Sequence, residues 1–144
     1  MGRTAMSQTV VLDTLPGGST NFDVLGVSCQ EKDYRFCWLL HKHLDWRLVQ
    51  ESEPESQQRT AGPVSVFFGE LPDLYISIRI LQLPKAPKVW IQEAAGMDYL
   101  IQLTGNTETF LNEAAQNIRN IPEVQWCGKL QKLSDKAKAK LIYQ

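Results

Sequence analysis

Apolar and polar residues alternate in several short runs along this chain and shift to a three-to-four spacing in two others, which predicts strands interrupted by two helices. Phe22 to Val27 reads Phe-Asp-Val-Leu-Gly-Val, a strand. Ser28 and Glu31 have capping-box spacing, so a helix is expected from about Cys29. At about 100° per residue, Tyr34, Phe36, Cys37, Trp38, Leu40, His41 and Leu44 share one arc of that helix. Glu31, Lys32, Arg35, Lys42 and His43 fall opposite, and Leu39 lies off the arc, where it is expected to be exposed or partly covered. Trp46, Leu48 and Gln50 then alternate with Arg47, Val49 and Glu51 as a further strand.

Glu51 to Pro63 carries no periodicity and reads as a surface connection. Val64 to Phe68 and Leu74 to Gln82 form the next pair of strands. In the second, Ile76, Ile78 and Ile80 point one way and Tyr75, Ser77, Arg79 and Leu81 the other. After a break at Pro84 to Lys88, Val89 to Ile91 is a short extended piece, and Gly96 separates a turn from a strand in which Tyr99, Ile101 and Leu103 share a face. Gly105 and Asn106 supply a turn and a cap, with Glu108 suited to the positive end of the helix that follows. Phe110, Leu111, Ala114, Ala115 and Ile118 are its apolar stripe, Pro122 stops it, and Val124 to Cys127 is a last strand. A short strand is also expected at Thr9 to Leu15.

Strand, helix, strand thus occurs twice, with a hairpin between. This order predicts an α+β domain with a single mainly antiparallel sheet and two helices packed on one face, in a split βαβ, ferredoxin-like topology.

Composition narrows the class. At 144 residues, with 43% hydrophobic and 22% charged residues, residues 1–144 form a single domain with a substantial core. Residues 1–8 read as a disordered tail, and 129–144 as a Lys-rich tail or helix. A formal charge of -1 gives no overall field for a polyanion. The five lysines from Lys129 to Lys140 make weak nucleic-acid contact an alternative, but they read first as a solvated helix face. Cys29, Cys37 and Cys127 are an odd set with no CxxC spacing, which fits a reducing compartment. With neither a secretory h-region nor a run of about 20 apolar residues, the expectation is a cytoplasmic protein away from the membrane.

Ile91-Gln92-Glu93-Ala94-Ala95-Gly96-Met97-Asp98-Tyr99 resembles the signature of the IPExxxVDY family of uncharacterised bacterial proteins, with Gln92 in place of its Pro and Met97 in place of its Val. Glu31 to Trp38, after Leu25-Gly26-Val27-Ser28, is similar to that family's first helix. The resemblance implies a small bacterial cytoplasmic protein and brings no catalytic role to any residue.

The residues that carry chemistry form no complete set. Glu93 and Asp98 make an acid/base pair only if the turn folds them together. Cys29, at the expected helix start, is the better candidate for a reactive thiol. Asp33, Cys37 and His41 follow at i, i+4 and i+8, but Asp33 and His41 are about 12 Å apart along a helix, so all three cannot meet at one atom. No Cys/His spacing suits zinc, no phosphate loop is present, and no cofactor is expected. Four tryptophans and the strand face carrying Phe67, Tyr75, Arg79 and Leu81 exceed what two helices cover. The leading expectation is therefore a non-catalytic interaction or regulatory module that binds a protein partner or a second copy through an open sheet face. A small ligand-binding protein or enzyme, with Glu93, Asp98 and His41 lining a cleft, is the alternative.

Overall fold

A computed structural model of the chain describes residues 22–51, 63–85, 90–105, 107, 109–130 and 133–142. The expected strand at Thr9 to Leu15, the 1–8 tail, most of the Glu51 to Pro63 connection, and the Asn106 and Glu108 caps lie outside these residues. Six strands, β1 (Phe22–Cys29), β2 (Val49–Gln50), β3 (Ser65–Leu71), β4 (Ile76–Gln82), β5 (Tyr99–Gly105) and β6 (Val124–Lys129), form one sheet in the order β2-β3-β4-β5-β1-β6. Every pairing is antiparallel. Among the described residues there are also three α-helices, α1 (Asp33–Leu44), α2 (Phe110–Arg119) and α3 (Asp135–Ile142), and two short 3-10 turns at Pro72–Leu74 and Gln92–Ala94. The fold is α+β.

β5 and β6 run parallel with β1 between them, and β1 and β4 run parallel with β5 between them. These are the two split βαβ crossings of a ferredoxin-like arrangement. The departure from it is an addition: α1 leads first to β2 and β3, which extend the sheet beyond β4, before the chain enters β4.

α1 and α2 cover one face. Leu25 and Val27 of β1, Ile76, Ile78 and Ile80 of β4, and Tyr99, Ile101 and Leu103 of β5 pack there against Phe36, Leu39 and Leu40 of α1 and Leu111, Ala114, Ala115 and Ile118 of α2. The alternation in β4 and β5 and the α2 stripe are as the spacing predicts, because each alternates cleanly between a covered face and its reverse.

α1 departs from the prediction in two ways. It begins at Asp33, with Lys32 as N-cap and no side-chain cap, because β1 continues through Ser28 and Cys29. Pairing with Trp126 and Val124 of β6 holds those two residues extended, so the Ser28–Glu31 spacing is not used as a cap. Its covered arc is also rotated. Leu39 is fully buried, whereas Tyr34 is 66% and Trp38 47% exposed.

The reverse face is not open along its length. α3 and the loop through Trp90 to Met97 lie over it, and Val24, Val66, Leu81 and Leu100 are buried with Trp90, Ile91, Ala94, Ala137 and Leu141. The Lys-rich segment therefore contributes a packed helix. Its signal in the sequence is Leu133, Ala137 and Leu141, spaced by four residues on one stripe behind Ser134, whose hydroxyl accepts the Ala137 N–H at 3.1 Å as an N-cap. What stays uncovered on this face is its β2–β3 end, where Val49, Val64 and Phe68 are exposed.

Candidate functional site

Glu93, Asp98 and Tyr99 are structural ties. The Glu93 carboxylate accepts the backbone N–H of Ser134 at 2.7 Å, at the start of α3. In a capping box that bond comes from the third residue of the same helix. Here the third residue is Ala137, and Glu93 serves from 41 positions away. The Ser134 N–H holds its carboxyl below the usual glutamate range. The Asp98 carboxylate accepts the Cys29 N–H at 2.8 Å, where β1 runs past the end of β5. Asp98 also donates its own N–H to the Val27 carbonyl at 2.8 Å and accepts the Leu83 N–H at 2.9 Å, so it joins β1 to the end of β4. Between the two, Gly96 turns the chain with φ of 88°, a value that L side chains rarely adopt. Tyr99 is buried, stacks on Phe36 with ring centroids 4.3 Å apart, and donates its hydroxyl to the Glu31 carbonyl at 2.5 Å.

The sequence-predicted carboxylates and histidine do not converge. Asp98 lines a cleft of about 220 Å³ with Leu83, Lys85, Trp90 and Met97. Glu93 lines a different one of about 400 Å³ beside α3, and His41 a third of about 640 Å³ beside α1. His41 is half exposed and lies 3.7 Å from Asp45. Cys29 is buried; burial pushes its thiol up from its ordinary value, and the Glu31, Asp98 and Glu123 carboxylates add to this against a backbone hydrogen bond at Glu31. Cys37 and Cys127 are pushed up to about 12, chiefly by burial. These thiols are poor nucleophiles. Among the described residues, no group of three His, Cys, Asp or Glu side chains is placed to hold a metal ion.

The expected interface residues also separate. Phe67 belongs to the core under α1 and α2, and Leu81 is fully buried beneath α3. Tyr75 is 86% exposed in the left-handed turn before β4. Arg79 lies on the α3 side, donating to Gln102 Oε1 at 2.9 Å and to the Leu141 carbonyl at 3.1 Å. They form no common surface.

A different surface is assembled at the β2 edge. The largest of the three clefts is lined by Tyr34, Cys37, Trp38 and His41 of α1 and by Arg47, Leu48, Val49 and Phe67 from the end of the sheet. It exists because α1 begins late and its covered arc is rotated, so that Tyr34, Trp38 and His41 at i, i+4 and i+7 line its outer side. The Arg35 guanidinium lies 4.6 Å and the Lys42 ammonium 5.2 Å from the Trp38 ring centre. Both are within cation–π range. Close packing sets the position of the β2 strand. A Cβ on Gly69 of β3 would come within 2.6 Å of the Arg47 carbonyl oxygen.

The remaining tryptophans divide by location. Trp46 is in the helix-side core against Phe110 and Trp90 is under α3, while Trp126 on the edge strand β6 is half exposed over Gly128. No helix among the described residues is long and apolar enough to cross a membrane. Comparison with known proteins returns no matching family model, no matching curated protein and no matching solved structure.

Proposed function

We propose that this chain is a non-catalytic protein-interaction module that receives a partner segment at the β2 edge, in the groove between α1 and Leu48–Val49. One observation carries the reading: the aromatic side chains of Tyr34 and Trp38, 66% and 47% exposed, stand beside Leu48 around a groove of about 640 Å³ at an end of the sheet that no other described strand pairs. Large apolar side chains grouped at a rimmed concavity are a mark of recognition surfaces. The interface expected from the sequence thus moves from the middle of the sheet face to its end. Glu93 and Asp98 support the reading by their engagement elsewhere, since each already accepts a backbone N–H. The likeness of Ile91 to Tyr99 to a family signature fits a structural role for those residues.

The test is selection from a displayed random dodecapeptide library on the folded full chain, with Trp38→Ala and Tyr34→Ser variants as counter-targets. Peptides retained by the parent and lost on both variants are expected. Peptides held equally by all three proteins, or none enriched on the parent, overturn the proposal.

A further inference from the structure

Resting on that reading, we infer that the partner is an extended acidic segment of another protein, which adds to the sheet as a strand beside β2. It would place a large apolar side chain between Tyr34 and Trp38. The backbone pattern supplies the first part of this inference. β2 pairs with β3 through Val49↔Phe68 and Gln50↔Phe67, and the Glu51 N–H bonds the Val66 carbonyl at 2.8 Å. In an antiparallel pair, residues that exchange bonds with the neighbour alternate with residues whose N–H and C=O point away. Glu51 and Val49 therefore face β3, and Gln50 turns its N–H and C=O to the edge that no other described strand pairs. Strand addition is the usual way an extended peptide satisfies such groups.

Side-chain direction supplies the second part. Successive residues of an added strand point to opposite faces of the sheet. One set enters the groove floored by Leu48, Phe67 and Cys37 and walled by Tyr34 and Trp38. The other set lies on the reverse face over the exposed Val49 and Phe68. The set that enters the groove meets apolar surface at every second residue, so the segment needs apolar residues at alternating positions. Tyr34 and Trp38 supply the aromatic walls for the largest of them.

Charge decides what kind of partner this is. At the Trp38 end of the groove stand Arg35, Lys42 and Arg47, together with His41. Asp45 faces this end, 3.9 Å from Arg47 and 3.7 Å from His41, while Glu31 and Glu123 lie 3.9 and 3.6 Å from Arg35. Among the described residues no carboxylate pairs with Lys42, and Arg47 is 83% exposed against its one long contact. Glu51, at the end of β2, lies 4.0 Å from Arg79, so the charge left over at the groove is that of Lys42 and Arg47, and these two favour carboxylates at its Trp38 end. A second copy is disfavoured for the same reason, because two-fold pairing of β2 with itself sets like rims against each other.

The test repeats the dodecapeptide selection on the full chain carrying Lys42→Glu and Arg47→Glu together. Exposed positions off the packed arc leave the fold intact, which circular dichroism and the thermal midpoint check. On the parent, retained peptides are expected to be several-fold enriched in Asp and Glu around an aromatic or aliphatic residue. On the reversed rim, enrichment should pass to Lys and Arg. The best parental peptide should slow exchange of the Gln50 amide by at least tenfold and bind at least fivefold more weakly at high salt. Groove-dependent peptides without acidic bias, or a bias that ignores the reversal, overturn this inference and leave the interaction reading standing. A concentration-dependent dimer, or residues 1–21 of this chain, protecting Gln50 in the absence of peptide also overturns it. No groove-dependent peptide at all overturns both.

Discussion

Replacing Asp98 by Ala tests whether this carboxylate is a structural tie or a catalytic group. In the native protein its Oδ2 accepts the Cys29 N–H at 2.8 Å, at a place where β5 no longer offers β1 a carbonyl. The Cys29 side chain is buried and its N–H is part-buried, so water replaces the lost acceptor poorly. A hydrogen bond to a charged group contributes roughly 1.5–3 kcal/mol, and an orphaned donor has a cost of similar size. The two are one loss counted from either side, so Asp98→Ala should cost about 2 kcal/mol. For a chain of 144 residues that corresponds to a fall of roughly 6–8 °C in the thermal midpoint. Asp98→Asn keeps an acceptor oxygen without the charge and should cost about half as much.

Calorimetry of the three proteins measures these shifts, and hydrogen exchange at the Cys29 amide shows whether the change is local to the end of β1. The backbone bonds of residue 98, to the Val27 carbonyl and from Leu83, survive both substitutions. The loss should therefore stay well below the cost of breaking the sheet there. A midpoint for Asp98→Ala within about 1 °C of the parent would refute the tie. So would an Asn variant as damaged as the Ala variant, since that points to the charge alone.

Glu93→Ala removes the acceptor for the Ser134 N–H and should speed amide exchange across α3 with little change at α2, as read by exchange mass spectrometry. Because the folded protein holds Glu93 below its ordinary value, its stabilisation is complete above the unfolded pKa of about 4.3 and is lost as pH falls through the lower folded value. Tyr99→Phe keeps the stack on Phe36 and deletes the bond to the Glu31 carbonyl, so denaturant titration should show a loss of about 1–2 kcal/mol with an unchanged slope. Gly69→Ala should push the Arg47–Gln50 strand off β3, costing about 1–3 kcal/mol and abolishing peptide retention at the groove; retention at parental strength would contradict the close approach. At pH 8, with Cys37 and Cys127 raised to about 12, on the order of one thiol in ten thousand is ionised. A thiol-disulfide reagent should therefore label none of the three cysteines quickly until the protein is unfolded.

The parts of the fold legible in the sequence were those where one periodicity met one environment. From Ile76 to Ile80 β4 alternates isoleucine with polar residues, and α2 sets its alanines on one stripe, so the positions under α1 and α2 separate without ambiguity. α1 is different. Apolar or aromatic residues occupy more than half its circumference, and periodicity cannot choose which part the sheet covers. Leu39 faces the core, and Tyr34 and Trp38 line the groove at the sheet's end, because β2 and β3 were added on that side. The capping spacing at Ser28 failed for a related reason: pairing with β6 extends β1 through the residues that a local cap would have used. The sites of Glu93 and Asp98 were visible as carboxylates flanking a turn. Their roles were not, because their partners, Ser134 and Cys29, are 41 and 69 positions away.

Those long-range ties explain why so short a helix as α3 holds its place. With 8 residues it is below the length at which a helix is stable alone, and among its residues whose burial is described Ala137 and Leu141 are the packed apolar ones. Its ends are fixed by groups from the sheet side: the Glu93 carboxylate at the N-terminus, and the Arg79 guanidinium on the Leu141 carbonyl near the C-terminus. Each charge opposes the helix dipole at its end. Lys140 adds a bond to the Trp90 carbonyl. The segment from Trp90 to Tyr99 therefore serves both faces of the sheet. Trp90, Ile91, Ala94 and Glu93 seat α3, Asp98 closes the end of β1, and Tyr99 enters the core beneath α1 and α2. A substitution that opens the Gly96 turn should loosen α3 and the β1 terminus together, whereas one confined to α3 should leave β1 unchanged. Coupled or separate exchange at Cys29 and along α3 distinguishes these cases, and it places the acidic residues of this stretch among the supports of the sheet.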